Sequence, residues 1–276
     1  MIPIDQKLIE TALREDACGN DITTLSTVPA SARCVAKLVA KQDLTLAGIG
    51  LFEAVFKKLD RNVLVAKKFR DGAIVPKGAV IALVKGKARA VLTAERTALN
   101  FLQRLCGIAT ISASFVEAVD GTQTKILDTR KTTPGLRDLE KYAVRMGGAE
   151  NHRRDLSAMA LIKENHIAAA GGIAKAVRAA KKAGRGRFVE VEVTNLAELA
   201  EALTAGADRV LLDNMTLAMV KKAVKMAKGR AQTEASGNMN LKTVRRYAKA
   251  GVDYISVGAL THSAPAADLS LLIVLG

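Results

Sequence analysis

Along the first part of the chain the spacing of apolar positions changes period several times. Asp5 to about Glu15 and roughly Gly48–Leu59 read as helices, whereas the stretches near Arg33–Ala40 and Asn62–Ala66 alternate as strands do. After them, Asp71-Gly72-Ala73-Ile74-Val75-Pro76-Lys77-Gly78 has Gly and Pro where tight turns need them. A long helix follows, because Leu99, Leu102, Cys106, Ala109, Ala113 and Val116 step by three and four and so share one face. Thr93 reads as its N-cap, which puts Glu95 and Arg96 in the first turn, projecting from the helix end.

From Lys125 onward, short apolar runs alternate regularly with amphipathic segments. The strand candidates are Lys125–Asp128, Ala158–Lys163, Phe188–Val193, Arg209–Asp213, Ala231–Ala235 and Tyr254–Val257. Asn195 with Glu198 resembles a capping box, and Asn240 can cap the helix carrying Leu241, Val244 and Ala248. Gly184, Gly206, Gly229 and Gly251 stand where helices should end. Ala205-Gly206-Ala207-Asp208-Arg209-Val210 recurs as Ala250-Gly251-Val252-Asp253-Tyr254-Ile255. Strand–helix repetition of this kind implies a parallel sheet with right-handed crossovers, and six units are more than a small open sheet needs. The expected class is α/β, with an incomplete (β/α) barrel over residues 111–265 after an N-terminal α/β unit over 1–110. The closing apolar run Leu271–Leu275 is short enough for a buried terminal strand, and the tail 266–276 is expected to return to the N-terminal unit.

The ends of these strands carry the chemistry. The runs close on Asp128-Thr129-Arg130-Lys131, Lys163-Glu164-Asn165-His166, Asp213-Asn214, Glu234-Ala235-Ser236-Gly237-Asn238 and Val257-Gly258-Ala259. Glu190 and Glu192 lie two apart on one face of their strand. In a parallel barrel such ends converge on one mouth. Arg130, Lys131, Arg153 and Lys163 suit a substrate with several negative charges, since arginine pairs carboxylates bidentately and lysine supplies point charge. Glu192 and Asp213 are hard oxygen donors for Mg²⁺ or sugar hydroxyls. Ser236-Gly237-Asn238 and Val257-Gly258-Ala259 allow backbone N–H groups to reach a phosphate. His152 lies within the cationic segment Asn151-His152-Arg153, while His262 has no assigned role. Together these parts describe a site for an anionic acid plus a phosphorylated sugar.

Composition narrows the classes further. The chain has 276 residues, 49% hydrophobic and 25% charged, an ordinary globular balance. Its net charge of +15 raises nucleic acid or a membrane surface as partners, but aromatics are only 3% and the basic residues are scattered over helix faces. Cys18, Cys34 and Cys106 have neither disulfide nor metal spacing and read as thiols of a reducing cytoplasm. The first residues show no signal-peptide pattern, and no uninterrupted apolar stretch approaches a membrane span.

Several segments are long and specific enough to carry a resemblance. Asp128-Thr129-Arg130-Lys131-Thr132-Thr133-Pro134-Gly135-Leu136-Arg137, Glu140-Lys141-Tyr142-Ala143-Val144, Asn151-His152-Arg153 and Leu161-Ile162-Lys163-Glu164-Asn165-His166 are similar to quinolinate phosphoribosyltransferases. So are Val189-Glu190-Val191-Glu192-Val193, Leu211-Leu212-Asp213-Asn214 and Glu95-Arg96-Thr97-Ala98-Leu99-Asn100. The resemblance runs nearly end to end. It implies an N-terminal open α/β sandwich domain, an incomplete barrel with its active site at the strand C-terminal ends, and a homodimer. It further implies conversion of quinolinate and phosphoribosyl pyrophosphate into nicotinate mononucleotide, pyrophosphate and CO₂, with Mg²⁺ as cofactor. By resemblance, Arg130, His152, Arg153 and Lys163 hold the quinolinate carboxylates, and Arg96 reaches into the neighbouring subunit's site. Thr129 also belongs to the substrate site. Lys131 and Lys163 attend the pyrophosphate, Glu192 and Asp213 the metal and ribose, and Ser236, Gly237, Asn238, Val257, Gly258 and Ala259 the 5′-phosphate. Lys131, Lys163, Glu192 and Asp213 form the catalytic set. The chain departs from the family pattern at Ala149 and Asn238, where glycine is usual.

Two other functions fit parts of the sequence. A phosphate-binding barrel aldolase would use Lys163 as a Schiff base, which borohydride trapping reveals. A nucleic-acid-binding protein would account for the charge, and a salt-dependent gel shift separates it.

Overall fold

Strand β1 (Arg33–Ala40) alternates exposed and buried residues along its length, the mark of a strand with one face on a core. A computed structural model describes residues 2–184 and 187–274; Leu275, the end of the closing apolar run, lies outside the described residues. Further strands are β2 (Leu44–Thr45), β3 (Leu64–Lys67), β4 (Ile74–Val75) and β5 (Val80–Lys87). After the helix Ala88–Ala118 come β6 (Lys125–Leu127), β7 (Ala160–Ile162), β8 (Val189–Val193), β9 (Arg209–Asp213), β10 (Gln232–Ser236) and β11 (Tyr254–Ser256), and β12 (Leu269–Val274) closes the series.

The chain divides into two compact units. The first comprises residues 1–113, 133–148 and 263–276, so that 133–148, within the span read as barrel, belong to it. Its main sheet has the order β12-β1-β5-β3, antiparallel throughout. The helices Gln6–Glu15 and Ile49–Leu59 bury Ile9, Phe52 and Phe56, and the two rings meet edge to face at 4.9 Å. Gly48 precedes the second helix and has no side chain with which to cap it. Asp71 does so from the turn segment, accepting the Gly48 and Ile49 N–H groups at 3.0 and 3.1 Å.

The long helix begins at Ala88, five residues before the expected cap. Thr93 therefore lies inside it and donates its hydroxyl to Asp21 at 2.9 Å. Arg96 is exposed, but it projects from the helix interior rather than from its first turn. The helix begins early because β5 ends at Lys87 and runs directly into it, with no intervening loop residue. Among the described residues it is the one helix long and apolar enough to cross a bilayer, and half of its most apolar window is buried.

Within the first unit, the carboxylate of Glu140 is fully buried and accepts from Arg104 at 2.9 Å and from the N–H and hydroxyl of Thr133 at 3.1 and 2.8 Å. Glu140→Ala leaves these donors without their acceptor and should lower unfolding free energy by about 3 kcal/mol, read from the urea midpoint. An unchanged midpoint would remove Glu140 as the organiser of this segment.

The second unit comprises residues 114–132 and 149–262, built on six parallel strands in the order β6-β11-β10-β9-β8-β7. Apart from β6, neighbours follow the chain, and the last strand returns to pair with the first. That cyclic order is a barrel opened at one seam, between β6 and β7. There Glu150 forms a single parallel bridge to Leu127. The intervening helices show the expected signals: the Asn195 side chain accepts from Ala197 and Glu198, and Gly206, Gly229 and Gly251 have positive φ. The helix expected after Asn240 is shorter, Val244–Ala248, because residues 241–243 form a turn.

Candidate active site

Successive inward residues on a strand are two apart, so each strand of the second unit sends its last two inward residues toward the same end. The pairs are Leu161 and Lys163 at β7, Glu190 and Glu192 on β8, Leu211 and Asp213 on β9, and Glu234 and Ser236 on β10. Register places Glu192 beside Leu211 and Asp213 beside Ser236. A cavity of about 950 Å³ opens there.

Nearly all the residues expected at the site line this cavity. Thr129, Arg130 and Lys131 enter from β6, and His152 and Arg153 from the segment after the seam bridge. Lys163, Glu192 and Asp213 follow on successive strands, then Ser236, Gly237 and Asn238, then Val257, Gly258 and Ala259. Arg96 does not line it; it belongs to the first unit. Eight lining residues were not among the expected set: polar Asn214, Glu234, Asn240, Ser256 and His262, and apolar Leu161, Leu211 and Met239. Period-two spacing from Ser236 was signal enough for Glu234. His262 carried none, because a four-residue helix, Ala259–His262, turns it back toward the cavity.

Local chemistry holds each group. Lys131 sits in a backbone clasp: its N–H donates to Thr129 Oγ1 at 3.0 Å, and its carbonyl accepts from the buried Thr261 hydroxyl at 2.8 Å. Lys163 pairs with Glu192. Asp213 accepts on both oxygens, from Ser236 at 2.6 Å and Asn214 at 2.8 Å. Asp128, fully buried, takes the Asn151 amide at 2.6 Å and the His152 N–H at 2.8 Å, so one carboxylate sets the path of Asn151-His152-Arg153.

Beneath the cationic mouth lies an acidic floor. Glu190 and Glu234 are fully buried, 3.1 and 3.5 Å from His152 Nε2, and Arg209 approaches Glu234 at 3.2 Å. Burial acts most strongly on the imidazole and disfavours its charge, but the two carboxylates outweigh it and raise its pKa to about 9. A second proton on Nδ1 would break the 2.7 Å bond that this atom accepts from the Arg153 N–H. With Nδ1 an acceptor, the neutral ring carries its proton on Nε2, the nitrogen nearer the two carboxylates. Burial pushes Glu190 upward. It pushes Glu234 upward too, but His152, Ser256 and Arg209 pull that group down further.

Both departures from the family pattern leave the backbone intact. Asn238 has φ 49°, the left-handed region where glycine is at ease and asparagine is the best-tolerated substitute. Ala149 has no positive φ. The need for glycine falls on Gly147, where a Cβ would sit 2.3 Å from the Ala109 carbonyl, and on Gly148 at φ 85°.

Known proteins share this sequence and this fold. Residues 21–106 match the family described as quinolinate phosphoribosyl transferase, N-terminal domain, and residues 108–272 match its C-terminal domain. A probable nicotinate-nucleotide pyrophosphorylase (carboxylating) of Bacillus subtilis is 42% identical, over 98% of this chain and 93% of its own. The chloroplastic enzyme of Arabidopsis thaliana is 41% identical, over 96% and 82%. Among solved structures, NadC from Streptococcus pyogenes superposes with a TM-score of 0.93 at 40% identity, covering 98% of each chain. The nicotinate-nucleotide pyrophosphorylase of Ehrlichia chaffeensis does so at 0.95 and 38%, covering 99% and 100%. Sequence and fold match nearly end to end: the chain belongs to the quinolinate phosphoribosyltransferase family.

Proposed function

We propose that the cavity at the strand ends is where the chain carries out its family's reaction, transfer of a phosphoribosyl group from phosphoribosyl pyrophosphate to quinolinate with loss of CO₂. The observation that carries this reading is the division of the cavity: cations gather on the β6–β7 side, the carboxylates of Glu192 and Asp213 on β8 and β9, and the glycine-containing segments 236–238 and 257–259 at the ends of β10 and β11.

Arg130, Arg153 and Lys163 take the two quinolinate carboxylates, where paired guanidinium contacts orient the ring. The loops at 236–238 and 257–259 seat the 5′-phosphate. Lys131 neutralises the charge that develops as the sugar–pyrophosphate bond breaks and the pyridine nitrogen bonds to the sugar carbon. The ring then carries a positive charge, so the bond to the adjacent carboxylate breaks. CO₂ departs and the electron pair left on the ring carbon takes a proton. Holding both substrates in line lowers the barrier further.

The donor set at Glu192 and Asp213 suits Mg²⁺, with hard carboxylate oxygens on one face of neighbouring strands. When bound there, the metal supplies charge neutralisation for the pyrophosphate oxygens. Chelation should abolish turnover, and Asp213→Asn should raise the Mg²⁺ concentration for half-maximal rate by about tenfold or more. A metal-independent rate would remove the metal from this reading.

The reading extends to a homodimer in which Arg96, exposed and outside the cavity lining, completes the neighbouring subunit's site, and to a cytoplasmic setting. It includes neither nucleic acid nor membrane as partner, since the cationic groups of the cavity are matched to small anions. Formation of nicotinate mononucleotide and CO₂ from quinolinate, phosphoribosyl pyrophosphate and Mg²⁺ tests the whole. Replacing Arg96 and mixing that variant with a site-inactive one tests the dimer, since activity should return only if sites are shared.

A further inference from the structure

Of the segment Leu161-Ile162-Lys163-Glu164-Asn165-His166, the cavity takes Leu161 and Lys163 and leaves His166 outside its lining. The helix that starts there, Glu164–Ala170, is seven residues long and none of its residues is buried. Ile167 and Ala170 are half-buried and the rest are exposed. So short a helix has little stability of its own, and this one gains little from packing. Its ends therefore decide where it begins and stops. At the far end Gly171 adopts φ 75°, and the N–H groups of Gly171 and Gly172 donate to the Ala168 and Ile167 carbonyls.

At the near end Lys163 is the cap, with extended backbone at φ −115° and ψ 171°. Its ammonium can only donate, so it cannot accept from the first helical N–H groups as Ser, Thr, Asp or Asn would. The cap is closed from the other side: the Lys163 N–H donates to Nδ1 of His166 at 3.0 Å. This is the returning half of a capping box, with imidazole at the third helical position, where glutamate or glutamine is usual. Accepting at Nδ1, the ring carries its proton on Nε2 and is neutral. The bond fixes the Lys163 main chain just past Ile162, the last residue of β7 paired with β8. The amine of the same residue meets Glu192.

We propose that His166 is a positioning residue, its Nδ1 holding the Lys163 backbone so that the amine is presented to the quinolinate carboxylate beside Glu192. This rests on the placement of quinolinate argued above and extends it to a residue that touches no substrate. Charge explains the imidazole. A carboxylate at 166 would cap as well, but it would join Glu164 and Glu192 around an amine that has to attract an anion.

Steady-state kinetics, run beside amide hydrogen exchange of the 163–170 segment, test the assignment. His166→Ala should raise quinolinate KM about fivefold, the effect of one lost cap, with kcat and the KM for phosphoribosyl pyrophosphate within about twofold. Exchange in 163–170 should quicken while the urea midpoint holds, because this helix buries nothing. His166→Gln keeps an acceptor at the third helical position and should return both readouts close to native. His166→Glu should restore slow exchange but not the KM, since its charge opposes the anion. Lys163→Ala should itself raise quinolinate KM by about tenfold or more, and adding His166→Ala should cost nothing further. Losses that multiply would mean that the ring makes a substrate contact of its own and would overturn the proposal. So would quickened exchange with an unchanged quinolinate KM, or a glutamine variant that restores exchange without KM. A native quinolinate KM in Lys163→Ala would instead remove the quinolinate placement on which the inference stands, while exchange in His166→Ala still reports the cap.

Discussion

Lys131→Ala should lower kcat by about two to three orders of magnitude, the loss seen when one preorganised charge at a developing anion is removed. The KM for either substrate should change far less, because the charge matters most when the pyrophosphate is leaving. Stability should hold within about 0.5 kcal/mol, since the side chain is exposed and stabilises no core. The loop should also keep its course: Thr129 and Thr261 hold the Lys131 main chain, and neither bond involves the amine. Single-turnover kinetics with saturating quinolinate and phosphoribosyl pyrophosphate measure the effect directly, with circular dichroism as the control. Turnover near the native rate would leave Lys131 as an ordinary surface cation. Lys131→Arg keeps the charge but enlarges the head beside Gly258, where even an added Cβ would lie 3.1 Å from Lys131 Cδ. It should recover only part of the rate.

How much of this was legible in the sequence follows the physics of each level. Strand ends were readable because period two fixes which side chains share a face, so Asp213, Ser236 and Glu192 could be placed together before any coordinates. The glycines at 206, 229 and 251 were readable because only a left-handed residue ends those helices cheaply. The start of the long helix was not, because β5 passes into it without a break and Thr93 offered a plausible but wrong cap. Long-range clasps were also invisible. Nothing local announces that Asp71 caps a helix 22 residues earlier, that Asp128 orders Asn151 and His152, or that His262 turns back toward the cavity. Such roles depend on which side chains the fold brings within 3 Å, and a one-dimensional pattern carries no such distance.

Gly237→Ala tests the phosphate seat at its tightest point. Gly237 has φ 96°, and a Cβ there would lie 2.1 Å from Asn214 Oδ1, 2.6 Å from its Cγ and 3.0 Å from its Cα. The methyl group cannot fit unless Asn214 moves. Asn214 cannot move alone, for its amide donates to Asp213 and its N–H donates to the Ser236 carbonyl at 3.1 Å. One methyl group therefore displaces the phosphate loop and the carboxylate proposed to meet the metal together. The expected result is a KM for phosphoribosyl pyrophosphate higher by about a hundredfold, with quinolinate binding changed far less, because its cations enter from the other side of the cavity. Combining the change with Asn214→Gly removes Cγ and Oδ1 and gives position 214 a residue at ease at its φ of 51°. That double variant should regain part of the lost affinity, short of full recovery, because alanine at φ 96° still costs about 1 kcal/mol or more. The single Asn214→Gly variant, measured alongside, separates relief of the collision from loss of the Asp213 bond. Native affinity for phosphoribosyl pyrophosphate in Gly237→Ala would show that the 236–238 loop is not the phosphate seat.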